Sequence, residues 1–204
     1  MRWIASLMVA LLFGVGALYW QTDGFTALTA EAARRNQVAA HPRALPPVRI
    51  LDEQDGAQPL AAALRADGRI AIVNFFYTRC MSLCLAQGSQ MERLQRAILE
   101  RGLAGRVRLL SISFDPRDGA LELARYARRM NADENIWQFA SIADEAQRDG
   151  LLALFGIVVI PAPLGEFEHN AAFHLVTPDG RLARIVDMDE PGRALELAED
   201  MSGR

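Results

Sequence analysis

The chain has 204 residues, of which 51% are hydrophobic and 23% are charged, a composition typical of one globular domain with additional segments at its ends. The formal net charge of -3 argues against a nucleic-acid-binding protein, because such proteins usually carry a basic surface that neutralises phosphates. The absence of lysine from the sequence excludes Schiff-base chemistry at lysine and a phosphate-binding loop that depends on that residue.

The N-terminus contains an uncharged run from Trp3 to Trp20, which predicts a membrane segment. As a helix this run would span roughly 27 Å, close to the thickness of the hydrocarbon core. A cleaved signal peptide is the alternative, but the small-x-small site at Ala30–Ala32 lies about ten residues beyond the run. Arg2 favours an orientation that places the rest of the chain on the periplasmic side, in an oxidising compartment. We predict a membrane anchor over residues 1–22.

The remaining chain is predicted to form a linker over residues 23–47, with a short helix around Thr29–Asn36, and one domain over residues 48–204. Apolar runs predict strands at 69–77, 107–114, 137–142, 158–160, 169–177 and 181–186. Helical spacing and capping residues predict helices at 60–66, 83–101, 121–130, 145–155 and 191–201. Strands that alternate with helices predict an α/β domain.

The two cysteines, Cys80 and Cys84, follow the first buried strand and begin the next helix, where ligand sites of open α/β sheets tend to lie. The helix N-terminus and Arg79 both favour the thiolate form. Residues four apart in a helix have Cβ atoms about 5–6 Å apart, whereas a disulfide needs roughly 3.5–4.5 Å. The spacing therefore favours a metal ion bound between the two sulfur atoms. A distorted first turn would permit a disulfide, and a purely structural role for both cysteines stays open.

The sequence offers three histidines as further ligands, of which His41 falls in the predicted linker. His169 and His174 are an odd number of residues apart, so on one continuous strand they would point to opposite faces. The face of His169 is the more apolar and is predicted to point inward, but a structural role is as compatible with either histidine as metal ligation. Two thiolates and one imidazole suit copper(I), and they are too few for a closed four-ligand zinc site unless His174 or a ligand from outside the chain joins them.

Three motifs stand out: Asn74–Cys84, Ser113–Asp118, and His169 with Pro178-Asp179-Gly180. In their order and spacing they resemble the Sco/SenC family of copper chaperones. The strand and cysteine segment Asn74–Cys84 is similar to the family's strand followed by T-x-C-x-x-x-C. Ser113–Asp118 is similar to the family's S-x-D-P-x-x-D stretch, with one residue fewer. His169 stands nine residues before Pro178-Asp179-Gly180, an offset that selects His169 over His174. The resemblance extends from about Pro47 onward.

This resemblance implies a thioredoxin-like fold with a central sheet flanked by helices, preceded by an N-terminal transmembrane helix. It implies copper ligation by Cys80, Cys84 and His169, and delivery of copper to a partner protein, a cytochrome c oxidase subunit. The chain departs from the family at Leu85, where a proline usually follows the second cysteine.

Two other functions remain open. The chain could be an enzyme, a thiol-disulfide oxidoreductase in which Cys80 attacks a disulfide of a copper-receiving partner and His169 is dispensable. It could also be a membrane-tethered assembly scaffold whose cysteines are merely structural.

Overall fold

The computed structural model of the chain describes residues 2–21, 29–54, 56–80 and 83–203. The chain divides into two compact units, Met1–His41 and Pro42–Arg204. Within the described residues the helices are α1 (Arg2–Gln21), α2 (Ala30–Ala40), α3 (Leu60–Asp67), α4 (Leu83–Glu100), α5 (Ala120–Arg129), α6 (Glu145–Phe155) and α7 (Pro191–Ser202). The strands are β1 (Arg43–Ala44), β2 (Arg49–Asp52), β3 (Ala57–Pro59), β4 (Ile70–Phe76), β5 (Val107–Ser113), β6 (Trp137–Ile142), β7 (Val159–Pro161), β8 (Phe167–His169), β9 (Ala172–Val176) and β10 (Arg181–Asp187).

The first unit contains α1 and α2. Helix α1 covers the apolar run, and α2 begins after Thr29, whose Oγ1 accepts a hydrogen bond from Ala32 N at 3.0 Å. No helix in the described part of the chain is long and apolar enough to cross a membrane. The structure thus does not support the transmembrane part of the predicted fold.

The second unit is built on an eight-stranded sheet in the order β1-β10-β9-β4-β5-β6-β2-β3. Strands β4, β5 and β6 are parallel, and β9 and β2 pair antiparallel with the outer members β4 and β6. Every residue of β4 and β5 is buried, as expected for central strands that are covered on both faces. The α/β class predicted from the alternating pattern is confirmed.

Helices cover both faces of this sheet. Adjacent residues of a strand point to opposite faces, and Phe75 contacts Phe155 of α6 at 4.9 Å whereas Phe76 contacts Tyr126 of α5 at 4.7 Å, between ring centroids. Helices α5 and α6 therefore lie on opposite faces. The side-chain amide of Gln95 in α4 donates to the Asn131 carbonyl, just after α5, at 3.0 Å.

The region from residue 157 to 177 differs from the prediction. Instead of one strand over 169–177, the chain forms β8 and then β9, with Asn170 and Ala171 between them. Strand β8 pairs with β7 in a separate two-stranded sheet, whereas β9 pairs with β4 and β10 in the main sheet. This break removes the premise that His169 and His174 alternate along one strand.

Candidate metal centre

The cysteine loop, defined here as residues 77–80, leaves the carboxyl end of β4. Cys80 N donates to the Tyr77 carbonyl at 3.4 Å, and Cys80 is 8% exposed. Asp118 anchors the loop: its carboxylate accepts from Thr78 N at 2.7 Å and from Thr78 Oγ1 at 2.6 Å. It also accepts from Ser113 Oγ at 2.6 Å. Because Asp118 is buried, these three bonds fix the backbone just before the first cysteine.

Arginine side chains also stabilise the cysteine loop, from its exposed side. Arg79 forms an ion pair with the buried Asp115, with 2.6 Å between Nη2 and Oδ2, and Arg117 binds the same carboxylate at 2.8 Å. Arg129 Nη2 donates to the Thr78 carbonyl at 3.2 Å. The sequence suggested that Arg79 supports a cysteine thiolate, but its guanidinium is directed to Asp115. Arg79 therefore contributes to the site by holding the cysteine loop in position.

The β7–β8 hairpin carries His169. Nδ1 of His169 lies 2.9 Å from the Asn170 carbonyl oxygen. Since a carbonyl only accepts, Nδ1 carries the proton, and in the neutral ring Nε2 is the nitrogen that bears the lone pair. Metal-ligating histidines commonly show this arrangement, in which one ring nitrogen donates to a carbonyl and fixes the tautomer.

Cys80 and His169 lie together at the end of the cysteine loop. The His169 ring packs edge-on against Phe114, with 5.0 Å between ring centroids, and against Tyr77 at 6.2 Å. Burial lowers the pKa of His169, while the bond to the Asn170 carbonyl and the charge of Cys80 act in the opposite direction. The net direction favours the neutral imidazole, the form that binds metals.

Tyr77 is the second group in contact with Cys80. Burial raises the pKa of Tyr77 above its ordinary value, and a hydrogen bond to Glu166 and the charge of Cys80 raise it further. The phenol therefore keeps its proton and donates a hydrogen bond to the Glu166 carboxylate.

The backbone of Cys84 lies in the first turn of α4, and its side chain lies outside the described residues, as do Met81 and Ser82. Cys80 precedes the helix, so the argument that both cysteines share one helical face is wrong. In the described part of the chain, no three His, Cys, Asp or Glu side chains converge as a metal site. The structure thus brings together two of the three predicted ligands.

The other two histidines lie elsewhere. His41 is exposed at the end of α2 in the first unit. His174 is fully buried, and its Nε2 lies 3.0 Å from the Phe155 carbonyl, with its ring against Phe75 and Phe155. The prediction that the His174 face is the less buried one is wrong, because both faces of β9 are covered.

Sequence reasoning did not identify Glu166 and Asn170 as part of this region. Glu166 binds the Tyr77 hydroxyl, and the Asn170 side chain closes the base of the hairpin by accepting from Val158 N at 2.7 Å and donating to the Gly156 carbonyl at 2.8 Å. Asn170 could have been suspected from its place between two apolar segments. No signal in the sequence pointed to Glu166.

A mixed sheet with three central parallel strands, helices on both faces and a cysteine loop after β4 defines a thioredoxin-like α/β domain. The model of the SCO1/SenC family matches residues 51–202, and the chain belongs to this family. The SCO1 protein homologue of Bacillus subtilis (strain 168) is 25% identical over 134 residues, which cover 64% of this chain and 67% of that protein.

Two solved structures show the same fold. One is BsSco, a member of the Sco family of cytochrome c oxidase assembly proteins in which a disulfide switch has been identified; it has a TM-score of 0.67 and 21% identity, over 80% of this chain and 95% of that one. The other is Bradyrhizobium japonicum ScoI with copper bound, which has a TM-score of 0.62 and 21% identity, over 77% and 98% of the two chains.

Proposed function

We propose that this chain binds one copper ion through Cys80, Cys84 and His169 and delivers it to a partner protein. The observation that carries this proposal is the position of the His169 imidazole beside Cys80, with Nδ1 held by the Asn170 carbonyl. Nε2 is then the ring nitrogen that would meet the metal, and the carbonyl keeps the ring in that tautomer.

The donor set suits the proposed cargo. Two thiolates and one imidazole are soft to intermediate ligands, a combination that favours copper(I) over hard cations. The first turn of α4 favours the thiolate form at Cys84, because the helix dipole is positive there. The copper-bound structure of the related ScoI supports the same cargo. Release would proceed by ligand exchange with thiol or imidazole groups of the partner.

The partner and the location belong to the same proposal. The description of BsSco as a cytochrome c oxidase assembly protein supports a copper-receiving subunit of that oxidase as the partner. The uncharged run Trp3–Trp20 supports attachment of the chain to a membrane, with the copper site on the periplasmic side.

The binding proposal predicts that the reduced full-length chain takes up one Cu(I) per chain and that a Cys80→Ser/Cys84→Ser variant takes up none. Titration with Cu(I) against a chromophoric chelator measures both values under anaerobic conditions. Loss of thiolates removes the soft donors, so the double variant should not compete with the chelator. Equal uptake by the double variant would show that the cysteines are not ligands.

A second candidate function is thiol-disulfide exchange with the partner, as a reductant of its cysteines. The observation that favours it is that Cys80 lies in a loop before α4. Its distance from Cys84 is therefore not set by the i,i+4 spacing of a helix, which is too wide for a disulfide. The disulfide switch identified in BsSco supports this alternative.

The exchange proposal predicts that a Cys84→Ser variant accumulates a mixed disulfide through Cys80 when it is mixed with an oxidised dithiol peptide. Without the second thiol the intermediate cannot resolve. Non-reducing mass spectrometry measures the adduct, and Cys80→Ser is the matched variant expected to form less of it. Equal adduct formation by both variants would contradict the assignment of Cys80 as the attacking thiol.

A further inference from the structure

The hairpin that carries His169 is attached to its unit by few polar contacts. Strands β7 and β8 pair only with each other among the described strands, so no ladder bonds hold them to the main sheet. The Asn170 side chain closes the base of the hairpin, and Arg117 Nη2 donates to the Gly165 carbonyl near its tip at 2.8 Å. Between these two points the hairpin packs against the rings of Tyr77 and Phe114, and of these two side chains Tyr77 also forms hydrogen bonds with it.

Tyr77 connects the cysteine loop to β8 through its hydroxyl group. The hydroxyl donates to Glu166 Oε2 at 2.6 Å, a short bond typical of a carboxylate acceptor. The Tyr77 hydroxyl oxygen also accepts a hydrogen bond from Phe167 N at 3.2 Å. The Tyr77 ring also packs against the rings of Phe167 and His169, at 5.3 and 6.2 Å between centroids. Tyr77 is 1% exposed, whereas Glu166, Phe167 and His169 are half-buried.

The hydrogen bond between Tyr77 and Glu166 lies close in sequence to two of the proposed ligands, Cys80 and His169. Tyr77 precedes Cys80 by three residues in the same loop, and Glu166 precedes His169 by three residues in the same hairpin. A bond between Tyr77 and Glu166 therefore fixes the distance and orientation of the segment that carries the thiol relative to the segment that carries the imidazole.

We propose that Tyr77 and Glu166 are positioning residues that hold His169 over Cys80 for metal binding. This inference rests on the proposed copper-binding function and names the residues that prearrange its site. Without the hydroxyl–carboxylate bond the hairpin keeps its ring contacts and its closed base, but it loses the hydrogen bond that holds the segment of His169 to the cysteine loop. Copper then has to order the hairpin as it binds, which lowers affinity.

The test uses Tyr77→Phe and Glu166→Gln in the full-length reduced chain, with Glu168→Gln as the matched control. Phenylalanine keeps the ring packing and removes only the hydroxyl. Glu168 lies two residues after Glu166, in β8, but it is exposed and alternates with Phe167 and His169. We expect Cu(I) affinity to fall about 10-fold in Tyr77→Phe, comparable to losses of other groups that orient metal ligands, and to stay unchanged in Glu168→Gln. The amide oxygen of glutamine can still accept a hydrogen bond from the phenol, so Glu166→Gln should lose less Cu(I) affinity than Tyr77→Phe.

A double-mutant cycle separates positioning from general stability. In a His169→Ala background, Tyr77→Phe should change Cu(I) affinity by less than about two-fold, because the group it positions is absent. An equal loss in both backgrounds would assign the effect to folding and overturn the inference. An unchanged affinity of Tyr77→Phe in the otherwise native chain would overturn this inference alone. Failure of the unsubstituted chain to bind Cu(I) would overturn the proposed function and this inference together.

Discussion

Replacement of Asp118 by alanine is expected to lower the free energy of unfolding by about 3 kcal/mol, since buried donors left without an acceptor each cost roughly 1–3 kcal/mol. Asp118 is 3% exposed and accepts from Thr78 N, Thr78 Oγ1 and Ser113 Oγ at 2.6–2.7 Å. The substitution leaves these buried donors without their acceptor. Urea denaturation followed by circular dichroism measures the change.

The matched control for this prediction is Asp149→Ala in α6, where the carboxylate is largely exposed and pairs only with Arg148 in the described contacts. Its removal should change the free energy of unfolding by less than about 0.5 kcal/mol. A loss below about 1 kcal/mol in Asp118→Ala would contradict the anchoring role that the geometry gives this carboxylate. Because Asp118 fixes the loop before Cys80, the variant should also bind Cu(I) more weakly.

Replacement of His169 by alanine is expected to lower Cu(I) affinity by more than about 100-fold, exceeding the losses typical of groups that only orient a ligand. The imidazole supplies the sole nitrogen donor proposed for the site, and the bond from Nδ1 to the Asn170 carbonyl makes Nε2 the nitrogen that bears the lone pair. Competition with a chelator of known affinity measures the change. The double thiolate would remain, so residual binding is expected.

His41→Ala is the control for the histidine substitution, because His41 is exposed at the end of α2 and belongs to the other compact unit. The Cu(I) affinity of the His41→Ala variant should equal that of the unsubstituted chain. Affinity that is unchanged in His169→Ala as well would remove the imidazole from the proposed site and leave the thiol-exchange function as the better account of the cysteines.

Elements with strong local signals were predicted with the bounds that the structure has. Strand β6 (Trp137–Ile142) and helix α6 (Glu145–Phe155) are the best examples. Asp144 caps α6 by accepting from Ala146 N at 2.9 Å, and Gly156 ends it with φ of 68°. Both signals are local in sequence, so they can be recognised without knowledge of the fold.

Elements that depend on distant pairing were missed. Strands β2 and β3 are short and partly polar, and Pro59 ends the second of them at the sheet edge. The pairing of β2 with β6 joins residues about ninety positions apart, for example Ile50 and Ile142, and β3 joins the sheet by pairing with β2. No periodicity within so few residues distinguishes such strands from a turn.

The candidate site was predicted in part for the same reason. The place of Cys80 after a buried strand followed from local pattern, and the motif around Asp118 marked a second loop that the parallel sheet brings to the same edge. The alternation argument for His169 failed because it assumed a continuous strand. The Tyr77–Glu166 bond joins residues 89 positions apart, and only the folded chain reveals it.

X-ray absorption spectroscopy at the copper edge of the Cu(I)-loaded, reduced full-length chain tests the copper-binding proposal most directly. The proposed ligands Cys80, Cys84 and His169 predict a first shell with two sulfur atoms and one imidazole nitrogen, and the nitrogen contribution should disappear in His169→Ala. A first shell without sulfur, or a nitrogen contribution that persists unchanged in that variant, would contradict the proposed site.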